Sequence, residues 1–335
     1  MKIAYITEPL SFLSGKGNGI SGQAVTWAKS LREKGHTVEL IIPWGDYSWE
    51  EFEIIHLFGS SDMWFYSLAK SLYQINQNIF WSPICDNIDS PLLQHIKTYI
   101  GFDSLKLFSL PYIRKKAYPL FKVIFARSEY EKNYLVNAYG VDSKKVVVVP
   151  IAMSYNDQPI LDKKESFCLH ISNLTQTRKN VLRLIESARK FHFRLVLAGS
   201  KGSPIEYARI EKAIGWDSNI EVLGFISEEK KKELYQKAKV FALPSIKEGV
   251  GIVALDAAHY GCDIVITSIG GPKEYYNGMA YIVDPYSVDS IGTSIIQAMN
   301  STMQPRLKQW VDKKYNRESI VERLLSVYHS NTRKE

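Results

Sequence analysis

The sequence predicts an α/β protein made of two doubly wound, Rossmann-like domains that face each other across a cleft. Three observations lead to this prediction. The chain has 335 residues, more than a single hydrophobic core usually holds, so two domains are expected. Short apolar runs, typical of buried parallel strands, alternate with amphipathic stretches along the chain. The alternation stops at a polar segment, residues 151–166, and then begins again.

The first domain is predicted to span residues 1–150. Its strands are expected in six apolar runs, namely 2–7, 37–42, 52–58, 78–82, 122–127 and 145–150. A glycine-rich loop follows the first of these strands, and the apolar period then predicts a helix near 22–34 that Gly35 ends. Amphipathic stretches predict further helices between the later strands.

The second domain is predicted to span residues 151–312. Its six strands are expected at 167–172, 193–199, 219–225, 240–245, 263–268 and 280–284, with helices near 179–190, 228–238, 250–260 and 287–299. A last amphipathic helix, about 317–329, carries the apolar residues Ile320, Leu324, Leu325 and Tyr328 on one face. The C-terminal segment 313–335 is therefore expected to pack back on the first domain. Sheets of this kind bind ligands at the carboxyl ends of their strands.

Composition narrows the class of protein. Hydrophobic residues make up 45% of the chain and charged residues 23%, which is ordinary for a globular protein. The net charge of +7 favours anionic partners, although a lysine-rich surface explains the excess equally well. No nucleic-acid-binding motif accompanies the charge, so nucleic acid is disfavoured. Cys85, Cys168 and Cys262 fit no metal or disulfide spacing, so buried free thiols and a cytoplasmic location are expected.

One stretch, KEGVGIVALD at 247–256, combines acids, glycines and the start of a helix. It follows the strand expected at 240–245, so its loop lies at a carboxyl end. The free N–H groups of a helix N-terminus bind phosphate or diphosphate, and Gly249 and Gly251 allow close approach of the backbone. Glu248 can then accept hydrogen bonds from sugar hydroxyls, and Asp256 from a ribose. For the tetrapeptide alone, a solvated loop acid beside turn glycines is the simpler alternative.

The ordered motifs resemble the retaining, GT-B-fold glycosyltransferases of family four. PSIKEGVGIVALDA, GCDIVI and GGPKEYY stand in the family's order, and the similarity extends over nearly the whole chain. The resemblance implies transfer of a sugar from a nucleotide-sugar, UDP favoured over GDP, to a glycan or lipid-linked acceptor in bacterial surface polysaccharide synthesis. The donor would bind the C-terminal domain and the acceptor the N-terminal domain. The nucleotide-sugar is a substrate, and no cofactor is implied.

The resemblance also implies roles for individual residues. Glu248 and Lys179 match the catalytic positions, while Asn173 stands where the family has arginine and Arg178 lies close enough to compensate. Asp256 replaces the family's usual glutamate. The implied donor-binding set is Gly19, Gly22, Asn173, Arg178, Phe225, Ile226, Gly249, Val250, Gly251, Ile252 and Asp256. Gly19 and Gly22 belong to the first domain's glycine loop, and Phe225 and Ile226 would lie beside the base.

The acceptor side and the metal requirement follow less directly. Cys85 and Asp86 stand where the family has a His-Asp pair, so they are candidates for the acceptor side. His56 ends a neighbouring strand and is a third candidate, with a buried core histidine as the alternative. No D-x-D triplet occurs, so no metal site is expected, and the resemblance implies a metal-independent front-face mechanism.

The segment 110–125 mixes basic and aromatic residues, which suits an anionic membrane surface at the inner face of the membrane as well as a solvated face leading into a core strand. Two alternatives to the enzyme stay open: a glycosyltransferase-like partner protein with weak or no turnover, and a nucleotide-sugar epimerase.

Overall fold

The computed structural model describes residues 1–7, 19–42, 44–59, 63–83, 85, 89–102, 105, 107–155, 157 and 163–332. The chain forms two compact units. One consists of Met1–Ile151 together with the segment from Arg317 onward, and the other of Ala152–Asn316. The predicted C-terminal segment starts at 313, four residues before the second unit ends, so residues 313–316 belong to the second unit. The reason is that a helix continues to Tyr315, and the extended backbone of Asn316 then ends it.

The first unit is built around a six-stranded parallel sheet. Its strands are β1 (Lys2–Ile6), β2 (Thr37–Leu40), β3 (Ile54–Phe58), β4 (Ile79–Ser82), β7 (Val123–Ala126) and β8 (Val146–Val148), in the order β2-β1-β3-β4-β7-β8. Its helices are α1 (Gly19–Glu33), α2 (Met63–Ile75), α3 (Pro91–Lys97), α4 (Leu110–Ala117) and α5 (Glu129–Tyr139). A short antiparallel hairpin, β5 (Gly101–Phe102) and β6 (Leu107–Phe108), stands apart from this sheet.

The second unit contains another six-stranded parallel sheet. Its strands are β9 (Glu165–Ile171), β10 (Leu195–Ala198), β11 (Ile220–Gly224), β12 (Ala238–Leu243), β13 (Asp263–Thr267) and β14 (Tyr281–Val283), in the order β11-β10-β9-β12-β13-β14. Its helices are α6 (Val181–Phe191), α7 (Pro204–Ile214), α8 (Glu228–Lys237), α9 (Ile252–His259), α10 (Val288–Asn300) and α11 (Arg306–Tyr315). The predicted α/β class with two Rossmann-like domains is confirmed.

Burial explains why these runs became strands. Every residue of β3, β4 and β13 is buried, as expected for strands covered by helices on both faces of a parallel sheet. The three cysteines are buried free thiols, as predicted. No helix in the described part of the chain is long and apolar enough to span a bilayer.

Two details differ from the sequence-based expectations. The hairpin was not predicted, because two-residue strands are too short to give an alternating pattern. The last helix, α12 (Arg317–Thr332), packs against α1 in the first unit and buries Val321 where Leu325 was expected. Leu325 is only partly covered because it lies at the margin of the buried face formed by Ile320, Leu324 and Tyr328.

Candidate donor site in the second unit

The sheet of the second unit changes direction between β9 and β12. From β9 the chain adds β10 and β11 on one side, then returns to add β12, β13 and β14 on the other. The loops that follow β9 and β12 therefore diverge at a topological switch point, where open α/β sheets bind their ligands. These two loops carry Lys179 and Glu248, the two residues predicted to be catalytic.

Glu248 is a buried acid that several donors surround. The Lys179 Nζ lies 2.5 Å from Glu248 Oε2, and the Ser245 hydroxyl donates to the same oxygen at 3.1 Å. Only 9% of the Glu248 side chain and 12% of the Lys179 side chain are exposed. A charge pair this well covered interacts strongly because solvent screens it little. The alternative of a solvated loop acid is therefore wrong for Glu248.

A second cation reaches the same acid. Arg178 Nη1 lies 3.9 Å from Glu248 Oε1 and donates to the Lys247 carbonyl at 3.4 Å. Asn173, which stands in place of the family's arginine, instead accepts hydrogen bonds from the amide and hydroxyl of Thr175. Asn173 thus shapes the loop, while Arg178 supplies the guanidinium beside Glu248.

The backbone between β9 and α6 fixes these two cations. Residues Thr177–Lys179 form a single 3-10 turn, and the Ile246 amide donates to the Arg178 carbonyl at 2.8 Å. Asn180 adopts the left-handed conformation (φ 62°), which asparagine tolerates better than most residues. Its amide group donates to the carbonyls of Pro244 and Pro285. The loops after β9, β12 and β14 are thereby tied together around the charge pair.

His170 is part of this region, and the sequence did not single it out. It lies on β9, is fully buried, and its Nδ1 donates to the Ala242 carbonyl of β12 at 2.8 Å. Burial, with a smaller contribution from Lys179, lowers the pKa of His170 to about 4. The imidazole is therefore neutral, and its Nε2 accepts from the Ser172 hydroxyl at 2.7 Å. The only sequence signal was its position two residues before Ser172, where the loop begins.

The glycines around the motif have a packing role, and their predicted contact with a phosphate stays a prediction. Gly251 adopts φ 74° and precedes α9, and a Cβ there would lie 2.9 Å from the Leu243 side chain. A Cβ on Gly270 would lie 2.9 Å from the Glu248 carbonyl. Two glycines therefore let the loops after β12 and β13 pack closely. Gly249 and Ile252 are partly exposed beside this contact, and Val250 is buried.

Asp256 lies on α9 and is buried. Its Oδ1 accepts a hydrogen bond of 2.6 Å from the Ser154 amide, so the acid holds the segment before β9. Burial raises the pKa of Asp256 to about 6, and the hydrogen bond from Ser154 only partly offsets this effect. Its predicted contact with a ribose stays a prediction.

Phe225 and Ile226 follow β11 at the carboxyl edge of the same sheet. Phe225 is 88% exposed and Ile226 partly exposed, directly after Gly224 (φ 70°). An exposed aromatic ring at this edge can stack on a planar base. A cavity of about 360 Å³ lies beside α6, but its lining residues, such as Gln176 and Arg183, do not include the Lys179–Glu248 pair. Because the convergent charges lie at the pair, we place the candidate site there.

The predicted site residues of the first unit lie in different elements of the fold. Gly19 begins α1, and Gly22, in its first turn, is exposed with no other described atom within 4 Å of where a Cβ would be. Cys85 is buried, and its amide donates to Glu131 Oε1 at 2.9 Å. Asp86 lies outside the described residues.

His56 is buried in the core of the first unit. Its Nδ1 contacts the Tyr328 hydroxyl at 2.5 Å and its Nε2 the Ser82 hydroxyl at 2.8 Å, and its ring stacks on Phe58. Both nitrogens are thus engaged within the unit. The expectation that His56 faces a ligand is wrong, because its side chain lies on a strand covered on both faces.

The first unit also contains a cavity of about 300 Å³ at the carboxyl ends of β1 and β2. Thr7 and Asp46 contribute polar groups, and the aromatic residues Tyr47, Trp49 and Trp64 form much of its lining. Tyr47 is held in place by a hydrogen bond of 3.0 Å from the Ile42 amide. Aromatic walls with a few polar groups are typical of sites for small organic ligands.

Comparison with known proteins relates the second unit to a known family. Residues 154–319 match the model for "Glycosyl transferases group 1". The O-antigen chain mannosyltransferase B of Escherichia coli is 24% identical over 200 residues, which is 53% of this chain and 51% of the relative. This chain therefore spans about half the length of that curated relative.

Solved structures extend the similarity to the whole chain. Sucrose-phosphate synthase from Thermosynechococcus elongatus superimposes with a TM-score of 0.76 at 15% identity and covers 98% of this chain and 99% of that one. HepE of Anabaena, solved with UDP and glucose, gives a TM-score of 0.73 at 14% identity and covers 98% and 100%. At these identities the similarity establishes the shared GT-B fold.

Proposed function

Because residues 154–319 match the model for group 1 glycosyl transferases, we propose that this chain transfers a sugar from a nucleotide-sugar to a growing glycan or lipid-linked acceptor. The similarity to an O-antigen chain mannosyltransferase supports a role in surface polysaccharide synthesis. We extend the UDP found in the HepE structure to this chain and propose UDP as the donor nucleotide. The reaction takes place in the cytoplasm, at the inner face of the membrane.

The observation that carries this proposal is the convergence of Lys179 and Arg178 on Glu248 at the switch point. The diphosphate of the donor binds the two cations and the first amides of α9, which are the groups that stabilise negative charge. Glu248 accepts hydrogen bonds from sugar hydroxyls. Its carboxylate also keeps the Lys179 ammonium in one position before the donor binds, so little reorganisation is needed during the reaction.

The reaction is a substitution at the anomeric carbon. The acceptor oxygen forms a bond to that carbon on the same face from which the phosphate oxygen leaves, so the configuration is retained. The acceptor proton passes to the leaving phosphate, and the nucleoside diphosphate departs with the electrons of the broken bond. Lys179 and Arg178 stabilise the charge that develops on the leaving diphosphate, a contribution of about 3–4 kcal/mol for one such group. This route requires no divalent ion, and activity in the presence of EDTA tests that requirement.

The aromatic cavity of the first unit is our candidate for the acceptor sugar. A pyranose ring presents an apolar face that packs on the rings of Trp49 and Trp64, and Asp46 accepts from its hydroxyls. Trp64 is 46% exposed, so a ligand can reach it. This assignment replaces His56, whose nitrogens are engaged in the core.

Nucleotide release tests the proposal. The protein is incubated with UDP- and GDP-sugars, with and without lipid extract, and free nucleotide is measured for wild type, Glu248→Gln and Glu211→Gln. Glu211 is an exposed acid on α7 and serves as the matched control. We expect release by wild type and by the control, and a loss of at least about 100-fold in Glu248→Gln.

Two other outcomes would support a different function. Nucleotide binding without release under any condition would support the non-catalytic partner protein, for which Asn173 in place of arginine is the motivating observation. Conversion of one nucleotide-sugar into another would support an epimerase. Equal nucleotide release by Glu248→Gln and wild type would contradict the site assignment.

A further inference from the structure

We propose that the exposed apolar side chains between residues 92 and 110 of the first unit form a docking surface for an anionic lipid bilayer. This inference rests on the proposed function, in which the acceptor is carried by a lipid. Of the twenty-one large apolar side chains that are exposed in the described part of the chain, nine lie between 92 and 110, and each of the nine is more than half exposed. We call these nine side chains the apolar surface. A concentration of exposed apolar groups of this kind marks an interaction site.

Helix α3 shows that this exposure has a reason other than chance. The residue that it buries is the polar Gln94, which donates to Asp89 at 2.8 Å. Leu92, Leu93 and Ile96 point the other way and are 53–68% exposed. The helix therefore turns its apolar face away from its own unit, the reverse of the usual arrangement for a helix on a globular protein. A partner that covers such a face removes apolar surface from water, which favours binding.

The neighbouring hairpin continues the same surface. Phe102 and Leu107 lie opposite each other in the β5–β6 ladder, and both are more than 60% exposed. Tyr99, between the helix and the hairpin, is 66% exposed. Tyrosine beside leucine and phenylalanine is typical of groups that reside where headgroups meet acyl chains.

The charged residues near the apolar surface indicate which class of partner covers it. The Lys115 ammonium lies 3.4 Å from the centroid of the Tyr99 ring, and Lys116 lies over the Tyr112 ring. In sequence, residues 91–122 contain six Lys or Arg residues and one acid, Asp103. Protein interfaces are depleted of lysine, whereas anionic headgroups attract it, so the combination favours a lipid surface over a second protein.

This surface differs from the one that the sequence predicted. The sequence left two interpretations of the segment 110–125 open, an anionic membrane surface and a solvated face that leads into a core strand. Ile113 and Phe121 within it are buried, and Lys122 donates to Asn78 at 3.0 Å. The lysines of α4 instead flank the apolar surface. The anionic membrane interaction is thus assigned to 92–110, with Lys115 and Lys116 at its edge.

Vesicle co-sedimentation tests the inference. Vesicles of phosphatidylcholine, with or without phosphatidylglycerol, are mixed with wild type, with the triple variant Leu92→Ser, Leu93→Ser, Ile96→Ser, and with Lys115→Gln, Lys116→Gln. The control is Ile205→Ser, Trp216→Ser, which removes two apolar side chains of the second unit that are even more exposed. We expect wild type and control to bind the anionic vesicles, the triple variant to bind at least tenfold more weakly, and the lysine variant to lose its preference for phosphatidylglycerol.

Several results would overturn the inference: no binding by wild type, equal loss in the control, or an unchanged triple variant. A wild-type dimer in size-exclusion chromatography that the triple variant abolishes would assign the surface to a second copy instead. Thermal unfolding checks that the variants fold, which we expect because each changed side chain is exposed or partly exposed. Nucleotide release without lipid separates this inference from the proposed function: the triple variant should release nucleotide at the wild-type rate, whereas failure of the proposed function would abolish release in every variant and leave vesicle binding intact.

Discussion

Two buried histidines occupy comparable positions in the two units and serve different regions. His56 lies on β3, beside β1, and His170 lies on β9, beside β12, in each case where the strand order reverses. Both are fully buried, and burial lowers the pKa of each. Each imidazole Nε2 contacts a serine hydroxyl at the end of a strand, Ser82 at 2.8 Å and Ser172 at 2.7 Å.

The remaining contacts of the two histidines differ. The other nitrogen of His56 contacts Tyr328, which anchors α12 in the first unit. His170 instead joins β9 to β12, and its serine begins the loop that carries Lys179. A histidine at a switch point therefore does not identify a site by itself. The residues connected to it do: among the described residues, those connected to His170 lead to the Lys179–Glu248 pair, whereas those connected to His56 belong to the core of the first unit.

Replacement of Lys179 by methionine gives the largest expected effect. Nucleotide release should fall about 100- to 1000-fold, because the cation that faces the leaving diphosphate is lost. Stability should fall by about 3–5 kcal/mol, since Glu248 would keep a buried charge with only Ser245 and the more distant Arg178 beside it. Release assays and denaturant unfolding measure the two effects.

The double variant Lys179→Met, Glu248→Gln separates structure from chemistry. Removing both charges should restore much of the lost stability, because no unpaired charge remains buried. Release should stay as low as in the single variant. Recovery of activity together with stability would mean that the pair only supports the fold.

Much of the second unit could be predicted because its motifs are local. The stretch 247–256 combines a strand end, two glycines and a helix start, and their order along the chain favours a phosphate-binding loop over a solvated turn. Strand runs such as 263–267 have an apolar centre typical of buried parallel strands, so the fold class could be predicted. The contact between Lys179 and Glu248 follows from the same topology, although these residues are 69 positions apart.

The first unit was harder to predict because its polar residues are satisfied by distant partners. His56 and Tyr328 are 272 positions apart, so no local sequence pattern indicates their contact, and the core role of His56 appears only in the structure. The inverted polarity of α3 is equally hidden, because Leu92, Leu93 and Ile96 have the spacing of an ordinary buried helix face. Sequence patterns indicate which residues share a face, but not which face the unit covers.

Asp256 differs from Glu248 because it is a buried acid that has no cationic hydrogen-bond partner among the described residues. Burial raises its pKa from the ordinary 3.8 to about 6, so the folded protein binds this proton more tightly than the unfolded chain. The cost of burying the carboxylate is full above about pH 6 and disappears as the pH falls towards 3.8. Asp256→Asn keeps an oxygen for the Ser154 amide and removes the charge. At pH 8 it should therefore be more stable than wild type, by up to about 3 kcal/mol.

Unfolding midpoints of Asp256→Asn and wild type, compared at pH 8 and pH 4, test this expectation. The difference should shrink as the pH falls, whereas a constant difference would contradict the assigned cause. UDP binding measured by calorimetry on the same variant tests the predicted ribose contact. A large loss of UDP affinity in the stabilised variant would indicate that the carboxylate binds the ribose at the expense of stability.

The smallest expected effect comes from replacing the serine beside each histidine, and it distinguishes the roles of His56 and His170. Ser82→Ala and Ser172→Ala each remove the hydroxyl beside one imidazole Nε2 and leave a buried nitrogen without that partner. Each change should cost about 1–3 kcal/mol, with Ser172→Ala at the lower end because its position is partly exposed. Below the unfolding transition, Ser82→Ala should release nucleotide at the wild-type rate. Ser172→Ala should release it several-fold more slowly at saturating donor, because the loop that positions Lys179 begins at this serine. Equal rates for the two variants would contradict the assignment of His170 to the site, and a slower Ser82→Ala would return His56 to the list of residues that act on the substrate.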